Sequence, residues 1–86
     1  MSHTDLEIVI QERIFRSFYR TFNPDFTRLF ERGNLRWILK PEIKAWLEEA
    51  GISININTRW QEDERYYVLQ FETFPHLLAF KLNFEL

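Results

Sequence analysis

The strongest constraint on the fold is a stretch of strict alternation between residues 52 and 72. Ile52, Ile54, Ile56, Thr58 and Trp60 alternate with Ser53, Asn55, Asn57, Arg59 and Gln61. Period two is the mark of a half-buried strand. After the polar run Gln61-Glu62-Asp63-Glu64, the residues Tyr67, Leu69 and Phe71 alternate with Tyr66, Val68, Gln70 and Glu72. The pair predicts an antiparallel hairpin with a four- or five-residue loop.

The flanking segments read as helices and short strands. Thr4-Asp5-Leu6-Glu7 fits a capping box, and the spacing predicts a helix over residues 5–22. On it Ile14, Phe15, Phe18, Tyr19 and Phe22 share one side, with Arg13, Arg16 and Arg20 opposite. The β-branched run Ile8-Val9-Ile10 also suits a short strand. Asn23-Pro24 opens a second short helix with Phe26, Leu29 and Phe30 as its apolar stripe, stopped by Gly33. Residues 35–39 read as a strand. Pro41 starts a helix through Ala50 on which Ile43, Trp46, Leu47 and Ala50 line one face, and Gly51 ends it. Phe74-Pro75 opens a last helical segment to about Lys81, after which Leu82, Phe84 and Leu86 alternate like an edge strand.

From residue 35 the order is strand, helix, strand, strand, helix, short strand. The expected fold class is therefore α+β: a ferredoxin-like βαββα(β) core over 34–86 with an N-terminal helical segment over 1–33, all in one domain. In that core, strands 35–39 and 52–60 run parallel through a right-handed crossover. The alternative is a winged helix, with the 52–72 hairpin as the wing and Pro41–Ala50 as the reading helix.

The chain's 86 residues suit a single domain. At this length a fold buries only about 60–65% of its chain surface. Fifteen aromatic residues in the chain offset that, nine of them Phe, each contributing about 1.5–3 kcal/mol when buried. Cysteine is absent, which rules out disulfides and Cys-based zinc sites and fits a reducing compartment. No apolar run approaches the roughly 18–20 residues of a membrane span, and Met1–Asp5 lacks the parts of a signal peptide. The expectation is a cytoplasmic protein that makes no use of a membrane.

The segment Phe71–Phe84, ending in Phe80, Lys81, Leu82 and Phe84, resembles the tail of small proteins of tailed phages of the T4 type, which finish on a strand, a helix and Phe-Lys-Leu-x-aromatic. Pro75 and the added Glu85-Leu86 depart from that pattern. The resemblance implies a viral protein acting in the host cytoplasm, and carries no activity with it.

Chemistry is poorly provided for. His3 and His76 have no metal-ligand spacing. Glu72 could pair with His76 as acid and base, but a histidine at a helix start needs no such role. Glu48-Glu49 and Glu62-Asp63-Glu64 fall at a helix end and a hairpin tip, where carboxylates are solvated. Ser2, Ser17 and Ser53 lack the context of a nucleophile elbow. Gly33 and Gly51, the chain's two glycines, cannot make a phosphate loop and read as helix stops. The expectation is a non-enzymatic protein without cofactor or metal.

Binding surfaces remain. Arg13, Arg16 and Arg20, extended by Arg28 and Arg32, form a basic stripe beside Phe18, Tyr19 and Phe22. These are the residue types of interface hot spots, and they suggest a protein partner. A solvated helix face, with Arg stems covering apolar surface, is the simpler account of the arginines. Arg59, Trp60, Arg65 and Tyr66 interleave cations and aromatics on the hairpin, as base-stacking sheets do. Core packing also explains them, and the acidic turn opposes phosphate. Basic side chains outnumber acidic ones seven to five through Lys40, and acidic outnumber basic eight to four beyond it, far from the balance of a nucleic-acid binder. The function expected is a protein–protein interaction module, with nucleic-acid binding and homo-oligomeric assembly as alternatives.

Overall fold

A computed structural model describes residues 6–86. Ten elements follow in order: β1 (Glu7–Gln11), β2 (Arg13–Arg16), β3 (Tyr19–Phe22), α1 (Pro24–Leu29), β4 (Phe30–Arg32), β5 (Trp37–Leu39), α2 (Pro41–Ala50), β6 (Ile54–Gln61), β7 (Glu64–Phe71) and α3 (Phe74–Phe84). The fold is α+β, with antiparallel sheets and, among the described residues, three helices. No helix among the described residues is long and apolar enough to cross a membrane.

The alternating run at 52–72 forms the β6–β7 hairpin, paired from Ile54↔Phe71 to Gln61↔Glu64. Its loop is shorter than expected. Only Glu62 and Asp63 lie between the strands, both at positive φ (51° and 67°), as in a two-residue type I′ turn. That turn's twist matches the strands, which outweighs the cost of a left-handed Glu62.

Over the described part of the expected 5–22 helix, residues 6–22, no α-helix forms. Thr4 and Asp5 of its capping box, like Ser2 and His3, lie outside the described residues. Glu7–Gln11 is instead the third strand of the main sheet, ordered β1-β7-β6, with Glu7↔Gln70 through Gln11↔Tyr66. Ile8 and Ile10 are buried while Val9 is half exposed, so the β-branched run follows period two. Joining the sheet satisfies the free edge of β7. Arg13–Arg16 and Tyr19–Phe22 then fold onto each other as a hairpin. Ile, Phe, Tyr and Thr favour that pleated geometry.

The other corrections follow the same logic. Helix α1 starts as expected, the Asn23 side chain accepting from the Asp25 N–H at 3.0 Å, but ends before Phe30. Residues 30–32 pair antiparallel with 37–39. Gly33 therefore serves a tight turn and not a helix stop. Its N–H donates to the Arg36 carbonyl at 2.7 Å, and a Cβ there would sit 2.9 Å from that oxygen. The parallel pairing of 35–39 with 52–60 does not form, because β4 is a partner a few residues away and closing a short loop costs less entropy. The ferredoxin-like crossover goes with it. The winged-helix order fails too, since strands β1–β3 stand where its first helix belongs. Gly51 is a true helix stop at φ 71°. Helix α3 continues to Phe84, and Glu85 at φ 57° ends it. Leu82, Phe84 and Leu86 thus form no edge strand.

Two aromatic clusters fill the space over the inner face of β7. Tyr67 packs against Phe26 and Phe30, centroids 5.1 and 4.9 Å away, with Trp37 5.1 Å from Phe26. Phe71 packs 5.3 Å from Phe80, which meets Phe84 at 4.7 Å, while Trp46 meets Phe84 at 5.2 Å. Buried Leu69 separates the two. Arg28 donates to the Phe84 carbonyl, tying α1 to the end of α3.

Candidate interaction surface

The β2–β3 hairpin places arginines directly opposite aromatics. Its register is Arg13↔Phe22, Ile14↔Thr21, Phe15↔Arg20 and Arg16↔Tyr19. Arg13 lies over the Phe22 ring at 5.4 Å and Arg20 over Phe15 at 5.4 Å. An exposed cation–π pair contributes about 0.5–1 kcal/mol. The sequence suggested an arginine face behind an aromatic face. Cross-strand pairing mixes the two types on each face instead.

The two-residue turn Ser17-Phe18 caps this hairpin. Phe18 is 98% exposed, with Tyr19 at 61% and Phe15 at 58%. Phe22 is covered in part by Trp37 and Phe26, 5.1 and 6.2 Å away. Of the six aromatic residues between positions 15 and 30, Phe26 and Phe30 are core. Phe15, Phe18 and Tyr19 are not.

At the hairpin's base lies a cleft of about 150 Å³ lined by Glu12, Arg13, Arg20, Trp60, Asp63, Glu64 and Arg65. The cleft joins Arg13 and Arg20 to Trp60 and Arg65, which the sequence had assigned to separate sites. Glu12 is buried at 7% exposure. Its N–H donates to the Arg65 carbonyl at 3.0 Å, and its own carbonyl accepts from the Asn23 N–H at 3.2 Å. Its carboxylate lies 3.6 Å from Arg65 Nε. The Arg65 guanidinium also donates to the Tyr67 hydroxyl at 3.3 Å and stacks on Trp60 at 4.9 Å. The hydrogen bond to Tyr67 is the main reason its pKa is raised; burial opposes this, and the charges of Tyr67 and Glu12 add to it. Arg65 is thus a fixed cation. Three arginines against three carboxylates leave the cleft without excess charge.

The hairpin set Arg59, Trp60, Arg65 and Tyr66 is divided by the pleat. Trp60↔Arg65 and Arg59↔Tyr66 are successive pairs, and successive residues face opposite sides. Arg59 lies 3.6 Å from Glu7, on a face where Glu7, Gln70 and Asn57 link by hydrogen bonds of 2.9 and 2.8 Å. No shared aromatic platform results. Of the stripe's extensions, Arg28 binds Phe84 and Arg32 stacks on Trp37 at 5.5 Å.

Sequence reasoning missed Glu12, whose isolated position gave no signal, and Leu35, 87% exposed at the β4–β5 turn. Glu72 forms no ion pair with His76, whose main-chain N–H instead donates to Thr73 Oγ1 at 3.3 Å. Among the described residues no three His, Cys, Asp or Glu gather as metal ligands.

No protein-family model, curated protein or solved structure matches the chain. The residues behind the phage-type resemblance lie on α3. Phe80 is fully buried and Phe84 packs on Trp46, so core packing accounts for much of that pattern.

Proposed function

We propose that this protein is a non-catalytic interaction module that grips a protein partner with the β2–β3 hairpin and the cleft beside it. The observation that carries the reading is Phe18, an aromatic almost wholly in water at a hairpin tip. Burying such a side chain in a partner returns about 1.5–3 kcal/mol. Tyr19 and Phe15 extend the apolar contact, and Arg13, Arg16 and Arg20 supply hot-spot cations around it. Phe22 holds the hairpin to the body. The partner is a host or viral protein in the cytoplasm, if the phage-type tail marks the chain's origin.

The balanced charge of the cleft and the divided Arg59/Tyr66 and Trp60/Arg65 pairs favour protein over nucleic acid. Capture of partners from native-cell lysate, read by mass spectrometry, tests the proposal. Phe18→Ser should keep its unfolding midpoint, a triple Arg13/Arg16/Arg20→Ala variant should lose no more than about 1–2 kcal/mol of stability with its two cation–π contacts, and both should stay folded and lose the partner. Unchanged capture by both overturns the reading. A salt-sensitive gel shift at micromolar protein overturns it in favour of nucleic acid.

A further inference from the structure

We propose that the outer edge of β6 is a self-pairing surface. Two copies join antiparallel about a two-fold axis at Asn57, merging two three-stranded sheets into one of six strands.

The two edges of the sheet are treated differently. Beside β1, Asp25 of α1, Lys81 of α3 and Leu86 line a cleft with Ile8 and Val9, so other elements stand near that edge. Among the described residues β7 is the one strand paired with β6, and seven of the eight residues of β6 are exposed.

Backbone geometry says which groups the open edge offers. A two-residue type I′ turn closes on a hydrogen-bonded pair, here Gln61↔Glu64. In an antiparallel ladder such pairs alternate with non-hydrogen-bonded ones. Asn55, Asn57, Arg59 and Gln61 thus direct their N–H and C=O groups to β7. Ile54, Ile56, Thr58 and Trp60 direct theirs outward.

Proteins guard long edges with proline, lysine, bulges or short strands. β6 contains no proline, lysine or glycine, and its ladder to β7 runs unbroken over all eight residues. Its single charge, Arg59, leans toward Glu7 on the outer face. The groove beside its inner-face side chains, about 710 Å³, reaches Trp37, Leu39, Ile56 and Tyr67.

The strand that matches this edge is the edge itself. A two-fold axis at Asn57 sets Ile54 opposite Trp60 of the second copy and Ile56 opposite its Thr58. Those are the outward-facing residues, so each pair exchanges both backbone hydrogen bonds. On the polar face Asn57 meets Asn57, and Asn55 meets Arg59 of the second copy. No like charges face each other. Moving the axis to Arg59 would oppose two arginines, and moving it to Ile56 would leave Trp60 beside Ile52, beyond the strand. The interface is separate from the β2–β3 hairpin and shares only Trp60 with the cleft beside it; neither proposal depends on the other.

The full chain contains no cysteine, so introduced thiols report the register. Non-hydrogen-bonded partners lie about 4.5 Å apart at Cα, inside the disulfide range of about 4.4–6.8 Å. Asn57→Cys should give disulfide-linked dimers under mild oxidation. Asn55→Cys and Arg59→Cys should each stay monomeric alone, with like residues about 13 Å apart, yet cross-link when mixed. Light scattering on the unmodified protein should show mass rising toward the dimer from micromolar to millimolar concentration. Ile56→Lys, with an unchanged circular dichroism spectrum, should hold it at the monomer. A monomeric unmodified protein throughout, equal cross-linking at all three sites, or a dimer that survives Ile56→Lys overturns the proposal.

Discussion

Two hairpins flank α1 in the chain, and they have opposite fates. β4–β5 is the shorter, with three residues a side, yet Phe30 and Leu39 are buried and the Lys40 N–H donates to the Leu29 carbonyl at 2.9 Å. β2–β3 has four residues a side and buries none of them. A two-stranded ribbon is marginal alone. β2–β3 persists because Glu12 and Asn23 close its base and Phe22 rests on Trp37 and Phe26. The pairing pattern is the same in both. What differs is whether the pleat aims side chains at the core, and the hairpin that misses the core is free to recognise a partner.

The largest expected effect separates the hairpins directly. Phe30→Ala removes a ring stacked on Phe26 and tilted against Tyr67, each at 4.9 Å, and should cost about 3–5 kcal/mol in urea unfolding. Phe15→Ala, on the other hairpin, should cost no more than about 0.5–1 kcal/mol, the worth of its stacking on Arg20. Comparable losses from the two substitutions would dissolve the distinction.

A smaller effect probes the junction that carries β2–β3. Glu12→Gln keeps the shape of a buried side chain and removes its charge 3.6 Å from Arg65. Arg65 is partly exposed and keeps its contacts with Tyr67 and Trp60, so the loss should be about 1 kcal/mol. With its folded pKa raised, the stability Arg65 contributes is complete below its unfolded pKa and is lost only as pH rises through the folded value. Thermal melts near neutral pH should therefore show no pH dependence from this group. Exposed amides on β2–β3 that exchange faster in Glu12→Gln would tie the hairpin to this junction.

Strong local signals in the sequence were the ones that survived folding. The hairpin at 54–71 was legible from its alternation, though not in its two-residue turn, and the helix 41–50 with Gly51 and the Asn23-Pro24 helix start were legible from proline, glycine and capping chemistry. At 13–22 they conflicted. Phe15, Phe18, Tyr19 and Phe22 fit helical spacing, but β1 claimed the edge of β7, and the residues between β1 and α1 had to turn back on themselves. Gly33 could not reveal whether it stops a helix or turns a hairpin, because both need a residue without a Cβ. Arg13, Arg20, Phe18 and Tyr19 were recognisable as surface candidates by type. Their meeting with Trp60 and Arg65 was not, because it depends on how two hairpins far apart in sequence lie in space.

The smallest effect tests whether the arginine–aromatic pairs hold β2–β3 together or only decorate it. Arg20 lies over Phe15 at 5.4 Å, with both side chains in solvent, where a cation–π contact contributes about 0.5–1 kcal/mol. A double-mutant cycle of Arg20→Ala and Phe15→Ala isolates that coupling from the loss of either side chain, and it should return about 0.5 kcal/mol. Because the contact is partly electrostatic, the coupling should weaken as salt is raised. If it is zero, the hairpin rests on its backbone ladder and base alone, and its arginines are wholly available to a partner. If it approaches the cost of Phe30→Ala, the exposed hairpin carries structural weight that its burial does not suggest, and the contrast between the two ribbons narrows to one of degree.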